Sequence, residues 1–128
     1  MDTEEEMLHL LKRHQDMVRT ISKPGYDIAQ ALMDSPEKAH DWHMVTGIAG
    51  EAGELLDAFK KHVIYGKKLD LDNVIEELGD LVFYMQGIMN SHGITWQEVL
   101  SGNYDKLMKK RYKDGYSDQA AIDRADKS

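Results

Sequence analysis

The sequence predicts an all-α fold, a bundle of four to five helices. Apolar residues recur at helical spacing along most of the 128 residues, strand-like alternation is nearly absent, and helix start and stop signals divide the chain. A hydrophobic content of 41% and a charged content of 30% are typical of a globular protein, and this length suits a single domain over residues 1–128. We place its helical core at about residues 4–112 and a polar tail at 114–128.

The first predicted helix begins near the N-terminus. Thr3 and Glu6 form a capping-box pattern, and apolar residues at helical spacing continue to about Ile21. The tripeptide Lys-Pro-Gly at 23–25 stops this helix. We expect residues 26–34 to be a connector, with room for a helical turn at Ile28–Met33.

Two longer helices follow. A serine N-cap followed by proline begins a helix over residues 35–65, and Gly66 ends it. Either Asp70 or Asp72 caps the next helix, which runs to about His92. This helix has a broad apolar stripe, so we expect it to lie at the centre of the bundle or in a subunit interface.

A fourth helix begins at a second capping box, in which Thr95 is followed by Glu98. It starts with Trp96, and we expect an interruption at Gly102 before the helix resumes and runs to Tyr112.

The composition argues against several classes of protein. No apolar run approaches the length of a membrane span, and the acidic N-terminus is unlike a signal peptide. The chain has no cysteine and therefore no disulfide or thiolate chemistry. A net charge of −7 argues against general binding to nucleic acid, so we expect neither nucleic acid nor membrane as a partner.

Two acidic pairs, Glu51/Glu54 and Glu77/Asp80, are the most informative feature of the sequence. Residues three apart lie on one face of a helix. Measured from the middle of each apolar stripe, the first acid of each pair lies at about 300° and the second at about 240°. If the two helices pack together, four carboxylates converge, and hard cations such as Mg²⁺ or Mn²⁺ must neutralise them. For either pair alone, a solvated acidic face is the alternative.

Three glycines, Gly50, Gly53 and Gly79, lie inside these two helices beside the acids. Each costs about 1 kcal/mol relative to alanine in a helix interior. Either a close approach of the helices or the need for space beside the carboxylates would account for this cost.

Other side chains are candidates for contact with a substrate. Tyr84 lies between the two acids of its helix on the helical wheel, although a half-buried aromatic residue is the alternative. Lys60 and Lys61 suit the C-terminal end of their helix and can also reach a triphosphate. The basic stretch 106–113 is either a solvated cationic face or a phosphate clamp. His43, upstream of the first acidic pair, is a further candidate.

Several motifs together resemble one known family. GIAGEAGELL at 47–56, EELGDL at 76–81, NYDKL at 103–107 and the Arg-Tyr pair at 111–112 are similar to the MazG-like branch of the all-α nucleoside triphosphate pyrophosphohydrolases. That superfamily is marked by Glu-x-x-Glu, a spacer and Glu-x-x-Asp. The resemblance covers about residues 40–118, and it is to short, sometimes phage-encoded members rather than to two-domain MazG proteins. It implies an oligomeric helical bundle of the pyrophosphohydrolase type.

The resemblance also implies a reaction. Family members hydrolyse a nucleoside triphosphate between the α and β phosphates, giving a monophosphate and pyrophosphate, and a deoxynucleotide is the favoured substrate here. Two or three Mg²⁺ ions, or Mn²⁺, would lower the pKa of a water that attacks the α-phosphorus, with Glu51 or Glu54 orienting it. The implied metal ligands are Glu51, Glu54, Glu77 and Asp80, and the implied or candidate nucleotide contacts are Tyr84, Asn103, Lys106, Lys60, Lys61, Arg111 and His43.

Family members form dimers or tetramers with sites completed by more than one subunit. We therefore expect a homo-oligomer in the cytoplasm, or in the host cytoplasm if the chain is phage-encoded. Two alternatives stay open. A carboxylate-bridged di-iron oxidoreductase also uses a helical bundle, but it pairs each glutamate with a histidine three residues on, where this chain has Glu54 and Asp80. The other alternative is a non-catalytic helical interaction module.

Overall fold

A computed structural model describes residues 3–127 of the chain, and these residues form helices and no strand. The all-α prediction is therefore confirmed. Within residues 3–127, no helix has both the length and the apolar character that crossing a bilayer requires. The elements are α1 (Thr3–Ile21), α2 (Gly25–Asp34), α3 (Pro36–Val63), α4 (Leu71–His92), α5 (Trp96–Tyr104), a π-helix (Asp105–Arg111), α6 (Asp118–Asp123) and a 3₁₀ turn (Ala125–Lys127).

The chain divides into two compact units between His40 and Asp41. The first unit contains α1, α2 and the first turn of α3. Helix α1 has the predicted extent, but it begins at Thr3 itself, so the residue before this helix lies outside the described residues.

The predicted connector at 26–34 is wrong, because these residues form most of helix α2. Pro24 occupies the N-cap position with φ −56° and ψ 133°, so the residue that stops α1 also begins the next helix. The Lys-Pro-Gly sequence shows that a helix ends, but not that another begins immediately after it.

Helix α3 begins and ends as predicted, to within two residues. The Ser35 hydroxyl accepts a hydrogen bond from the Lys38 N–H at 3.2 Å, which is N-cap geometry. At the other end, Gly66 adopts a φ of 65° and the Lys67 N–H donates to the Lys61 carbonyl at 3.1 Å. This is the glycine-terminated cap that the sequence indicates.

Helix α4 is capped by Asp70, which settles the choice between Asp70 and Asp72. The Asp70 carboxylate accepts a hydrogen bond from the Asn73 N–H at 3.1 Å. Gly93 ends the helix with a φ of 64°, and the Thr95 hydroxyl then caps α5.

The predicted interruption at Gly102 is wrong. Helix α5 continues through this glycine and passes directly into the π-helix, so the chain stays helical to Arg111. A single interior glycine lowers helix stability without ending the helix. The widened turn comes three residues later, where no glycine marks it.

Helices α3 and α4 form an antiparallel pair at the centre of the second unit. Gly47 of α3 lies against the Tyr84 ring of α4, and Gly87 of α4 lies against Met44 of α3. Within residues 3–127, the buried apolar side chains are Met44 at 7% exposure and Met89 at 5%. The core of the single chain is therefore small and lies at this helix crossing.

Candidate metal centre

Three acidic side chains meet on the antiparallel pair. Glu51 comes from α3, and Glu77 and Asp80 come from successive turns of α4. One carboxylate oxygen from each lies within 4.8 Å of the others. Helical spacing places Glu77 and Asp80 on one face, and the antiparallel packing brings Glu51 to that face.

Glu77 is the most perturbed of these acids. Its pKa rises from 4.5 to about 7, first through a hydrogen bond with Glu51, then through burial and the charges of Glu51, Asp80 and Glu54. Ionised carboxylates have no donor, so that hydrogen bond exists only when one of the two acids holds a proton. With both ionised, the buried Oε2 atom of Glu77 has no hydrogen-bond partner among residues 3–127.

These residues fit a divalent cation. Each potential metal ligand in the group of three is a carboxylate oxygen, the ligand type that Mg²⁺ and Mn²⁺ prefer. A cation would supply the partner that Glu77 Oε2 lacks and would remove the repulsion that raises the pKa of Glu77. Because the group contains no histidine, the donor set does not resemble that of a di-iron oxidoreductase.

The raised pKa of Glu77 makes the stability of the metal-free protein depend on pH. Between pH 4.5 and about 7, the folded state holds the Glu77 proton more tightly than the unfolded chain, so folding is favoured at the acidic end. We expect the melting temperature in EDTA to fall as pH rises through this window. We also expect the Glu77→Gln variant to show a flatter profile. Parallel profiles for the two proteins would contradict this assignment of the proton.

Glu54 lies near the group of three but does not belong to it. It is one turn beyond Glu51 on α3, and its side chain is exposed. Its charge contributes to the raised pKa of both Glu77 and Lys61. The structure therefore brings together three of the four predicted carboxylates, with the fourth at the edge.

Tyr84 packs one turn beyond Asp80 against the backbone of Gly47. The His43 ring lies edge-on to it, with 6.0 Å between ring centroids. Tyr84 is half-buried, whereas His43 is exposed. Both predicted substrate contacts are thus on the α3–α4 pair, on the side of the acids towards the start of α3.

The two lysines at the end of α3 have local partners. The Lys61 ammonium forms an ion pair with Asp57 at 3.0 Å, and this contact raises the pKa of Lys61. The Lys60 ammonium lies 5.8 Å from the centroid of the Tyr65 ring. Each interaction is exposed and weak, so neither prevents the lysine from contacting a phosphate.

The remaining predicted contacts lie on α5 and the π-helix. Asn103 is exposed and Lys106 is half-buried. The Arg111 guanidinium already binds Asp126: its Nε donates at 2.6 Å and its Nη2 at 3.0 Å to the two carboxylate oxygens. This pair lowers the pKa of Asp126 to about 2. A phosphate would therefore have to compete with Asp126 for Arg111.

The three glycines beside the acids have open space around them. A Cβ added at Gly50, Gly53 or Gly79 would meet no described neighbour within 4 Å. In the single chain, these glycines therefore leave space beside the carboxylates and do not mark close packing of the helices. Close packing occurs instead at Gly47 and Gly87, which sequence reasoning did not identify for that role.

Sequence reasoning also missed a polar contact between α3 and α4. The His92 ring approaches the Asp41 carboxylate at 2.7 Å, at the end of the pair remote from α3's C-terminus. These residues are 51 positions apart, so no helical periodicity relates them. Predicting this contact would have required knowing the antiparallel register of α3 and α4.

The fold is all-α, and its acidic group has the chemistry to hold a divalent cation. The family model of the MazG nucleotide pyrophosphohydrolase domain matches residues 40–115, more than half of the chain. The chain therefore belongs to this family, whose members depend on divalent metal and act as nucleotide pyrophosphohydrolases. No curated relative and no solved structure gives a significant match.

Proposed function

We propose that the chain hydrolyses a nucleoside triphosphate, preferentially a deoxynucleotide, between the α and β phosphates, with Mg²⁺ as the cofactor. The products are a nucleoside monophosphate and pyrophosphate. The observation that carries the proposal is the group of carboxylate oxygens from Glu51, Glu77 and Asp80, all within 4.8 Å of one another, in a chain of this family. Mn²⁺ has the same ligand preference and can replace Mg²⁺.

Glu51, Glu77 and Asp80 would hold the cations, and Glu54 would complete the set when its exposed side chain turns towards them. Two or three cations held there would supply Lewis-acid stabilisation of the phosphates and would lower the pKa of a bound water. Glu51 or Glu54 would accept the proton of the attacking water and orient it in line with the α-phosphorus. Glu54 suits the role of orienting the attacking water because its side chain is exposed and lies at the edge of the group.

Cationic and polar side chains would bind the rest of the nucleotide. Three lysines would neutralise charge on the β and γ phosphates. Lys60 and Lys61 lie near the end of α3, and Lys106 lies on the π-helix. Arg111 would join them only after release from Asp126. Tyr84 with its neighbour His43 would pack on the sugar or base, and Asn103 would contact the nucleotide from α5.

Pyrophosphate release from a panel of canonical and modified (d)NTPs, with Mg²⁺ or Mn²⁺, tests the proposal. We expect release from at least one deoxynucleotide and none in EDTA. We also expect Mg²⁺ with a non-hydrolysable deoxynucleotide to raise the melting temperature, because a ligand that binds only the folded state stabilises it. At a ligand concentration of 100 times Kd, the free energy of unfolding rises by about 2.7 kcal/mol. Inorganic phosphate as the first product, or no turnover across the panel, would contradict the proposal.

We further propose that the active form is a homo-oligomer in the cytoplasm. In the single chain, the α3–α4 pair leaves large apolar side chains exposed, among them Leu56 at 71%, Ile75 at 66% and Phe83 at 66%. Exposed apolar surfaces of this extent are typical of subunit interfaces. Light scattering coupled to size-exclusion chromatography should therefore give at least twice the 14.6 kDa mass of the chain.

A further inference from the structure

Helix α1 carries an exposed apolar face. All described residues of α1 are exposed, with Val18 at 43% and Ile21 at 72%. A continuous exposed apolar face on a helix indicates contact with another protein surface. Six large side chains lie within about 60° of one direction on the helical wheel: Met7, Leu10, Leu11, Met17, Val18 and Ile21.

The opposite face of α1 is polar and satisfied within the helix. Asp16 binds Lys12 at 3.4 Å and Arg19 at 3.0 Å. The Thr20 hydroxyl donates to the Asp16 carbonyl at 2.8 Å. Several polar groups of this face therefore pair within the helix, whereas the large apolar side chains of the other face are exposed.

The charges of α1 distinguish between possible partners. Its first turn is acidic, with Glu4, Glu5 and Glu6, whereas the cationic Lys23 follows its last turn. A second copy of α1 running antiparallel places the acidic start of each helix against the basic end of the other. It also aligns the two helix dipoles favourably. Parallel pairing would instead place like charges together.

We propose that α1 pairs in the antiparallel direction with α1 of a second copy of this chain. His14 lies at the middle of the apolar face, equally far from Met7 and Ile21, so a two-fold axis at His14 covers the whole face. Met7 then lies against Ile21 of the partner subunit, and Leu10 against Val18 of the partner subunit. This interface is independent of the proposed catalytic function.

The pair alone is a small interface. A helix of 19 residues is about 28 Å long, and one helix face buries less than the roughly 800 Å² per partner of a standard stable interface. We therefore expect the α1 pair to link copies that also associate through the apolar surfaces of α3 and α4. The test has to detect a weak contact and its direction.

Because the chain has no cysteine, single cysteine substitutions report the pairing directly. A disulfide needs Cα atoms about 4.4–6.8 Å apart. We expect His14→Cys to give a disulfide-linked dimer under mild oxidation. Met7→Cys alone should not, because the axis would separate the two copies of residue 7 by about 21 Å. A mixture of Met7→Cys with Ile21→Cys should crosslink, and His9→Cys on the polar face is the control.

Crosslinking of Met7→Cys with itself would show parallel pairing and overturn the proposal. Crosslinking of His14→Cys no faster than of His9→Cys would also overturn it, and would point to α1 docking elsewhere. Circular dichroism of each variant establishes that the helices have formed.

A matched pair of charge substitutions tests the same face in solution. We expect Leu10→Glu to weaken self-association, measured by analytical ultracentrifugation, by at least about tenfold, which corresponds to about 1.4 kcal/mol. His9→Glu introduces the same charge one residue earlier, on the polar face, and should change association less than about twofold. Equal effects of the two variants would overturn the proposed interface.

Discussion

Replacing Glu77 with glutamine should abolish pyrophosphate release while making the metal-free protein more stable at pH 8. The substitution keeps the shape of the side chain but removes one charge from the acidic group, so the repulsion that raises the pKa of Glu77 disappears. It also removes one of the proposed cation ligands. We expect kcat/KM to fall by at least about a thousandfold, since one such ligand stabilises the transition state by several kcal/mol.

Glu76→Gln is the matched control for Glu77→Gln. Glu76 is the adjacent residue, is exposed, and is not part of the group of three. Its variant should keep near-normal turnover and should still gain stability on addition of Mg²⁺. A Glu77→Gln variant that retained more than about a tenth of the activity would remove Glu77 from the mechanism.

Glu54→Gln separates the two roles available to a carboxylate at this site. If Glu54 orients the water, this variant loses turnover but retains most of the stabilisation by Mg²⁺, because Glu51, Glu77 and Asp80 still hold the cation. Substantial turnover in the variant would exclude Glu54 as a catalytic residue. Thermal melts with and without Mg²⁺, run beside the activity assay, distinguish these outcomes.

The second large effect is expected at Gly47. A Cβ at this position would lie 2.5 Å from Cγ of Tyr84, well inside van der Waals contact. Cγ is bonded to Cβ, so turning the ring about the Cβ–Cγ bond does not move this atom. Either Tyr84 must adopt a different χ1 rotamer or the helices must separate. Inserting one methyl group into a tightly packed contact costs about 1–3 kcal/mol. We expect Gly47→Ala to lower the free energy of unfolding, measured by chemical denaturation, by an amount at the upper end of this range.

Gly50→Ala is the control, and we expect it to change stability in the opposite direction. It lies three residues further along the same helix, where no described atom is within 4 Å of the added Cβ. Alanine should then stabilise the helix by about 0.5–1 kcal/mol. If the space beside Gly50 accommodates the nucleotide, the same variant should bind substrate less well. Equal destabilisation by the two substitutions would show that the Gly47–Tyr84 contact does not limit the helix separation.

Local rules were sufficient to predict most of the helices. The caps at Ser35, Asp70 and Thr95 are short-range hydrogen bonds whose donors and acceptors lie within three residues of each other, so sequence spacing specifies them. The same rules failed at α2, where one proline both stops a helix and begins the next. They also gave no sign of the π-helix, which contacts α6 and the C-terminal 3₁₀ turn.

The candidate site was only partly predictable for the same reason. Helical periodicity placed Glu77 and Asp80 on one face, and the antiparallel register of α3 and α4 then decided that Glu51 meets them while Glu54 lies at the edge. The close contacts of Gly47 with Tyr84 and of Gly87 with Met44 show this register, and sequence spacing does not specify which facing residue a glycine meets. The Arg111–Asp126 pair joins elements through tertiary packing, so the engagement of Arg111 could not be foreseen. The roles of these residues in binding nucleotide stay predictions.

The contact between Gly47 and Tyr84 leads to a prediction about which cation the proposed site would prefer. Gly47 is about one turn from Glu51, and Tyr84 is about one turn from Asp80, so the separation of the backbones at that contact fixes how far apart the facing oxygens can be. Mg²⁺ requires oxygens at about 2.0–2.1 Å, whereas Ca²⁺ accepts about 2.3–2.6 Å. We therefore expect that widening the helix gap, as in Gly47→Ala, would shift the preference of the proposed cation site towards the larger ion.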